Sequence, residues 1–169
     1  MKAEKISLEN AKENKLFYFV ANLIIYRESD HRCLILKRSN EEKVHAGKYC
    51  VPGGKLEWEN FDLKSPTRMN SDVYDFEGAL ENLLRREVFE ESGLEVESEF
   101  YYINSVGFVR PDGIPVMMQK FTAKYKTGEV QLEQGAFTDY AWVNKDEVIE
   151  FDCIDGVKEE IIKAINLFN

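Results

Sequence analysis

Cysteine, histidine and proline are scarce in this sequence of 169 residues, which contains three, two and four of them, respectively. The cysteines, Cys33, Cys50 and Cys153, are odd in number and lack the C-x-x-C spacing of zinc and redox motifs. This pattern argues against both a disulfide framework and a zinc site. We therefore expect the three cysteines to be reduced thiols of the core.

Long hydrophobic runs are also missing. The most apolar stretch, residues 17–26, is well short of the roughly 20 residues that a membrane-spanning helix needs. The polar start of the chain, residues 1–15, does not have the pattern of a signal peptide. These two features predict a cytoplasmic protein that has no contact with membranes.

Basic residues are outnumbered by acidic ones, with 22 Lys and Arg against 31 Asp and Glu, which gives a formal net charge of -9. Binding to long nucleic acid requires clustered cations that displace counterions from the phosphates. The charge balance therefore argues against such a partner. It does not oppose a small anionic ligand, because a bound divalent cation supplies positive charge locally.

What the sequence does contain is the composition of an ordinary globular domain, with 44% hydrophobic and 31% charged residues. Its length is sufficient for one substantial core. We find no linker, repeat or low-complexity tract that divides it. We therefore predict a single domain over residues 1–169.

The hydrophobic periodicity changes several times along the chain. We predict strands at 16–25, 33–38, 100–109, 115–125 and 139–143, and helices at 76–92 and 156–168. Strands that do not alternate regularly with helices indicate a mixed sheet in a layered α+β domain.

Three carboxylates lie within one turn of the predicted helix 76–92. Glu87, Glu90 and Glu91 stand at positions i, i+3 and i+4, which are neighbours on a helix surface, so they can converge on one cation. The apolar stripe of this helix borders on two of them, where an unpaired charge is costly. The alternative is a solvated glutamate-rich face that pairs with neighbouring arginines.

A second informative segment precedes this helix. Pro52, Gly53 and Gly54 read as a turn at the end of a short strand. Glycine lets the backbone approach a ligand closely, because it has no side chain to stand in the way.

With these two segments the chain resembles the Nudix hydrolases, whose signature is G, five residues, E, seven residues, then R-E-U-x-E-E-x-G-U, with U aliphatic. Every fixed position of the second half is present from Arg86 to Leu94, and Gly54 matches the opening glycine. The resemblance covers most of the chain. It implies a Nudix-type α/β/α sandwich in which a mixed β-sheet lies between helices.

The chain departs from the family between these two halves. The family has 13 residues between its glycine and its arginine, whereas 31 residues separate Gly54 from Arg86, an excess of 18. We interpret residues 60–76 as an inserted loop, which is either a substrate lid or a neutral surface excursion. A glutamate of the family motif is missing here, and the candidates to replace it are Glu57, Glu59 and Glu77.

The resemblance implies hydrolysis of a nucleoside diphosphate linked to another moiety, aided by Mg²⁺ or Mn²⁺. Water attacks a diphosphate slowly until a metal ion neutralises its oxygens and orients the nucleophile, and hard oxygen ligands favour these two ions. The implied metal ligands are Glu87, Glu90, Glu91 and the backbone carbonyl of Gly53. Arg86 is implied to orient the loop through an ion pair.

Further candidates are less specific. Glu133 is a candidate fifth metal ligand, and Arg38, Gly54 and Glu57 are candidate substrate-binding residues. Three aromatic residues are candidates for stacking a base, although aromatic residues of strands more often belong to the core: Trp58, Tyr101 and Tyr102.

For the substrate, the segment 47–55 resembles the family branch that acts on nucleoside triphosphates, so a nucleoside triphosphate pyrophosphohydrolase is the first hypothesis. The second is an ADP-ribose or nucleotide-sugar pyrophosphatase. It is suggested by Pro111, 17 residues past Leu94, which is also explained as a turn former. The third is a non-catalytic, nucleotide-binding regulatory domain, although such domains typically lose signature carboxylates that are intact here. The expected partner is a small nucleotide, and a homodimer is left open.

Overall fold

The computed structural model describes residues 2–8 and 11–169. Residues 1, 9 and 10, which the predicted domain includes, lie outside the described residues. Within the described ranges the chain forms ten strands and two α-helices, and none of its helices is both long enough and apolar enough to cross a membrane. The elements are β1 (Tyr18–Arg27), β2 (Arg32–Arg38), β3 (Tyr49–Cys50), β4 (Gly53–Lys55), β5 (Arg68–Asn70), β6 (Val73–Asp75), α1 (Ala79–Ser92), β7 (Glu95–Val96), β8 (Tyr101–Val109), β9 (Pro115–Thr127), β10 (Phe137–Val143) and α2 (Val157–Phe168). Short 3₁₀ turns lie at Glu13–Lys15, Trp58–Asn60 and Val148–Glu150.

Strand β1 lies inside the main sheet and carries both kinds of pairing. It runs parallel to β9 and antiparallel to β2 and β4. Strands β10 and β3 pair with β2, while β8 and β7 pair with β9, all antiparallel. The predicted mixed sheet is therefore confirmed.

The residues of β1 alternate between two cores, one on each face of the sheet. Leu23 and Ile25 are buried against α1, whereas Ile24 and Tyr26 are buried against α2. A strand that is covered on both faces reads as a continuous apolar run, which is what β1 has at its centre. The layers follow the order helix, sheet, helix, so the α/β/α sandwich is also confirmed.

Helix α1 starts three residues later than the sequence predicts and ends where it predicts. Gly78, at the N-cap, has φ of 70°, a left-handed conformation that a helix interior does not accept, so residues 76–78 stay outside. Gly93, also left-handed, ends the helix by donating its N–H to the carbonyl of Phe89 at 2.8 Å. The apolar stripe of this helix faces the core as its periodicity predicts: Leu83, Leu84 and Val88 are buried, and Leu80 is partly buried.

The segment 60–76, which we interpreted as an inserted loop, contains regular structure. Strands β5 and β6 form a small antiparallel hairpin. Arg68 on β5 pairs with Asp75 at 2.9 Å and with Glu77 at 2.8 Å. The polar composition concealed this hairpin, because its residues are mostly exposed and are not patterned by a buried face.

All three cysteines are free and buried, as the sequence predicts. Burial raises the pKa of the Cys33 thiol well above its usual range and that of Cys50 to about 12. Both thiols therefore stay protonated and unreactive at neutral pH.

Candidate active site

Helix α1 packs one glutamate directly onto the glycine strand β4. A β-carbon placed on Gly54 would lie 2.5 and 2.6 Å from the two carboxylate oxygens of Glu87. Any side chain at this position would force the Glu87 carboxylate to move, because real β-carbons do not approach other atoms so closely. The close approach predicted for this glycine is thus made to a side chain of the protein itself, and it holds Glu87 beside the turn.

Glu91, one helical turn further on, is bound to the neighbouring glycine. Its Oε2 accepts a hydrogen bond of 2.9 Å from the backbone N–H of Gly53. Burial is the main cause that raises the pKa of this carboxyl to about 8, and the nearby charges of Glu87 and Glu133 raise it further. The Gly53 hydrogen bond and Arg38 act in the opposite direction. Glu91 is therefore a carboxyl group that lacks sufficient positive charge around it.

Glu90 and Arg86 lie on the outer side of the same helix. The side chain of Glu90 is 57% exposed, against 17% for Glu87. Arg86 donates a hydrogen bond to Glu87 at 2.9 Å and lies 3.9 Å from Glu90. Its ion pairs are thus made within α1. Glu57 on the loop contributes only a weaker attraction, the last of those that raise the pKa of Arg86.

Two of the less specific candidates come close to Glu91. The backbone N–H of Glu133 donates to the carbonyl of Glu91 at 3.3 Å, which brings this loop to the end of α1. Arg38 hydrogen bonds to Glu42 at 2.7 Å and to the carbonyl of Val44 at 3.1 Å. Arg38 is therefore engaged with its own loop while it still acts electrostatically on Glu91.

The donor set fits a hard divalent cation in its chemistry. Glu87 and Glu91 approach the same glycine turn, and Glu133 adds a third negative charge. Burial makes the charged form of Glu91 unfavourable, and a bound cation would stabilise that form. Among residues 2–8 and 11–169, however, no three His, Cys, Asp or Glu side chains are arranged so that they could hold a metal ion. Glu90 is 57% exposed and lies near Arg86, which itself binds Glu87. Holding a cation would require these carboxylates to rearrange.

The three aromatic candidates are all exposed in part. Tyr101 packs edge-on against Phe168 at 5.2 Å between ring centroids and is 37% exposed, and Tyr102 packs against Phe121 at 6.0 Å and is 58% exposed. Trp58 is 57% exposed. Glu57 begins the 3₁₀ turn that carries Trp58, and its backbone N–H donates to the side chain of Asn60 at 3.0 Å.

Sequence reasoning missed Asn22, which lies directly against Gly53. Its side-chain oxygen lies 2.7 Å from where a β-carbon of Gly53 would be, and the two residues are paired between β1 and β4. The available signal was that Asn22 is a lone amide in an otherwise apolar run, which is an unfavourable place for a polar group without a structural role.

Known structures share this architecture. The MutT NUDIX hydrolase from Burkholderia pseudomallei is 19% identical, with a TM-score of 0.64 over 88% of this chain and 98% of that one. The NUDIX domain of Shewanella oneidensis NrtR, solved with ADP ribose, is 17% identical, with a TM-score of 0.66 over 96% of both chains. A C. elegans Ap4A hydrolase binary complex is 16% identical, with a TM-score of 0.59 over 89% and 97%. At these identities the likeness concerns the fold.

The sequence itself supplies the assignment. A comparison with curated proteins finds no match. The NUDIX domain family, in contrast, matches residues 18–165, which include β1, the glycine turn, α1 and most of α2. The chain therefore belongs to the Nudix family of hydrolases.

Proposed function

We propose that this protein is a Mg²⁺-dependent pyrophosphohydrolase that cleaves a nucleoside diphosphate linked to another moiety, with nucleoside triphosphates as the first substrate class. The observation that carries the proposal is the buried carboxyl of Glu91, bound to the N–H of Gly53 and next to Glu87. Such a group is destabilised when it is charged unless a cation is present.

In this mechanism Glu87 and Glu91 would hold the metal ion, together with Glu90, Glu133 and the carbonyl of Gly53. When bound, Mg²⁺ neutralises the diphosphate oxygens and lowers the barrier to attack by water. One of these carboxylates would accept the proton of the attacking water. Arg86 keeps Glu87 in place through their hydrogen bond. Arg38 and Glu57 are proposed to contact substrate at the edge of the site.

A second candidate is an ADP-ribose or nucleotide-sugar pyrophosphatase. It is favoured by the structural likeness to the NrtR domain that was solved with ADP ribose. Pro111 adds little to it, because Pro111 lies in a turn that Gly113 and Arg110 close with a hydrogen bond of 2.9 Å. A turn explains a proline without any substrate. We therefore rank this candidate second.

The test is the release of phosphate or pyrophosphate from a panel of nucleoside triphosphates, oxidised purine triphosphates, ADP-ribose, dinucleotides and nucleotide sugars, with Mg²⁺, Mn²⁺ or EDTA. We expect turnover that depends on the metal and is lost in Glu91→Gln. Glu81→Gln makes the same chemical change in the first turn of the same helix and should keep its activity. If no compound is cleaved while nucleotides still bind, the protein is instead a nucleotide-binding regulatory domain.

A further inference from the structure

A groove of about 540 Å³ lies beside the end of β4, the strand that carries the glycine turn. One wall is the start of β1, where Phe17 and Tyr18 are 53% and 45% exposed, and the other carries Trp58. The walls are joined at their base, because the N–H of Leu56 donates to the carbonyl of Phe19 at 2.9 Å. The volume falls within the range of roughly 300–1,000 Å³ in which proteins hold small organic ligands.

The segment that distinguishes this chain from its family supports one wall of the groove. Phe61 and Phe76, at the two ends of the inserted segment, lie 5.1 Å apart between ring centroids. Trp58 lies 6.2 Å from Phe61. The contact between the two phenylalanines closes the insertion at its base, and Trp58 stands on this base with most of its ring in solvent.

The groove lies next to the proposed diphosphate site along the chain. Lys55 and Glu57, which line it, follow Gly54 by one and three residues, and Gly54 itself lies against Glu87. A ligand whose phosphates lie at the glycine turn can therefore extend into the groove past a lysine. Exposed aromatic residues on both walls favour a flat ring as the occupant, because such a ring covers apolar surface and stacks in offset or edge-to-face geometry.

We propose that this groove binds the base of the nucleotide substrate and that the base stacks on Trp58. The proposal rests on the proposed function, since that function supplies a substrate with phosphates at the glycine turn. Stacking does not depend on the identity of the base, so Trp58 strengthens the binding of nucleotides in general. The carboxylates of Glu57 and Glu59 accept hydrogen bonds from ribose hydroxyls or from exocyclic amino groups.

Trp58 and Trp142 are the two tryptophans of the chain, so Trp142→Phe leaves Trp58 as the sole tryptophan reporter. Its fluorescence is titrated in EDTA with AMP and with ribose 5-phosphate, which lacks the base. We expect AMP to bind at least about 5-fold more tightly than ribose 5-phosphate. This factor is the lower end of the gain in affinity that stacking of one base on an aromatic residue provides. Equal responses to the two ligands, or no response to either, would overturn the proposal. So would a change in emission with protein concentration alone, because a second copy of the chain would then cover the groove.

Substitutions provide a second readout that does not depend on the Trp142→Phe protein. By calorimetry, Trp58→Ala should lose the preference for AMP over ribose 5-phosphate, and Trp58→Phe should keep most of it. Tyr140→Ala removes an aromatic residue that is 43% exposed on β10, outside the groove, and should leave the preference unchanged. If Trp58→Ala keeps the preference, the base binds elsewhere.

These binding measurements are made without metal and do not require turnover. They therefore test the groove assignment separately from the proposed hydrolase function. Base-dependent binding without hydrolysis of any panel compound would overturn the proposed function and leave the groove assignment intact. Hydrolysis without base-dependent binding in the groove would overturn the groove assignment and leave the proposed function intact. If both hold, Trp58→Ala should raise KM for substrates and leave kcat nearly unchanged, because the base takes no part in the chemical step.

Discussion

The carboxyl group of Glu91 is bound to the backbone N–H of Gly53, 38 residues earlier in the chain, at 2.9 Å. This hydrogen bond joins the end of α1 to the glycine turn across the 60–76 segment. It holds the carboxyl in a buried environment, where its charged form is disfavoured. On the proposed function, the stability of the protein and its affinity for cations are coupled at this residue.

The first prediction concerns pH. The pKa of Glu91 is raised from 4.5 to about 8 in the folded protein. Between these values the folded state binds more protons than the unfolded state, so stability falls as pH rises. The contribution of protonated Glu91 to the free energy of unfolding is fully present below pH 4.5 and is lost as pH rises through 8. It amounts to about 1.4 kcal/mol per unit of difference between the folded and unfolded pKa.

We expect the Tm of the wild-type protein in EDTA to fall between pH 5.5 and 9 relative to that of Glu91→Gln, which cannot ionise at this position. Adding Mg²⁺ should reduce the difference, most strongly at high pH, where the carboxylate is free to bind it. Parallel melting curves of the two proteins across this range would contradict the buried environment of Glu91.

The second prediction concerns the contact between Gly54 and Glu87. In Gly54→Ala the new methyl group would meet the Glu87 carboxylate, so the side chain must move. Overpacking of this kind costs about 1–3 kcal/mol. We expect a fall of at least about 100-fold in kcat/KM, because the proposed metal ligand Glu87 loses its position. Gly107→Ala is the control, since a β-carbon there meets only the end of Met117 at 3.9 Å; an equal loss in both variants would refute the specific contact.

The third prediction concerns a buried ion pair on the other face of the sheet. Lys120 and Glu160 are 7% and 3% exposed and lie 2.5 Å apart, which links β9 to α2. Glu160→Gln leaves a buried lysine charge unpaired and should lower the free energy of unfolding by about 3–5 kcal/mol, whereas the double variant Lys120→Met, Glu160→Leu should stay near the wild-type value.

Urea denaturation measures the free energy of unfolding of both variants. An exposed ion pair whose lysine lies on the same strand, β9, provides the control. Lys124 and Glu28 lie 2.6 Å apart, but their side chains are 36% and 65% exposed. Glu28→Gln should therefore change the free energy of unfolding by no more than about 1 kcal/mol. A similar loss in Glu160→Gln and Glu28→Gln would indicate that burial of the Lys120 pair contributes little.

The fourth prediction concerns the inserted segment. The rings of Phe61 and Phe76 lie 5.1 Å apart, so residues 62–75 can be replaced by a short turn that keeps both rings. We expect Tm to change by only a few degrees, because closure entropy depends weakly on loop length. The ratios of kcat/KM across the substrate panel should change if the hairpin acts as a lid. Unchanged ratios would identify it as a neutral surface excursion.

Much of the fold could be predicted because its signals are local. The apolar centre of β1, the stripe of Leu83 and Val88, and Gly93 as a left-handed cap fix their elements through neighbours in sequence. The family signature likewise depends on spacing along one helix. The hairpin within 60–76 could not be predicted, because its exposed strands have no buried face to impose an alternating pattern.

Sequence alone establishes that three carboxylates share one helical turn and that two glycines precede them. How these groups meet is a result of the tertiary structure. Glu91 is buried against Gly53, Glu87 lies on Gly54, and Glu90 is largely exposed near Arg86. Helical spacing fixes which residues share a face, whereas the burial and the pKa of Glu91 depend on the distant strand that this face packs against. The same holds for Trp58, whose groove is built from residues about 40 positions apart.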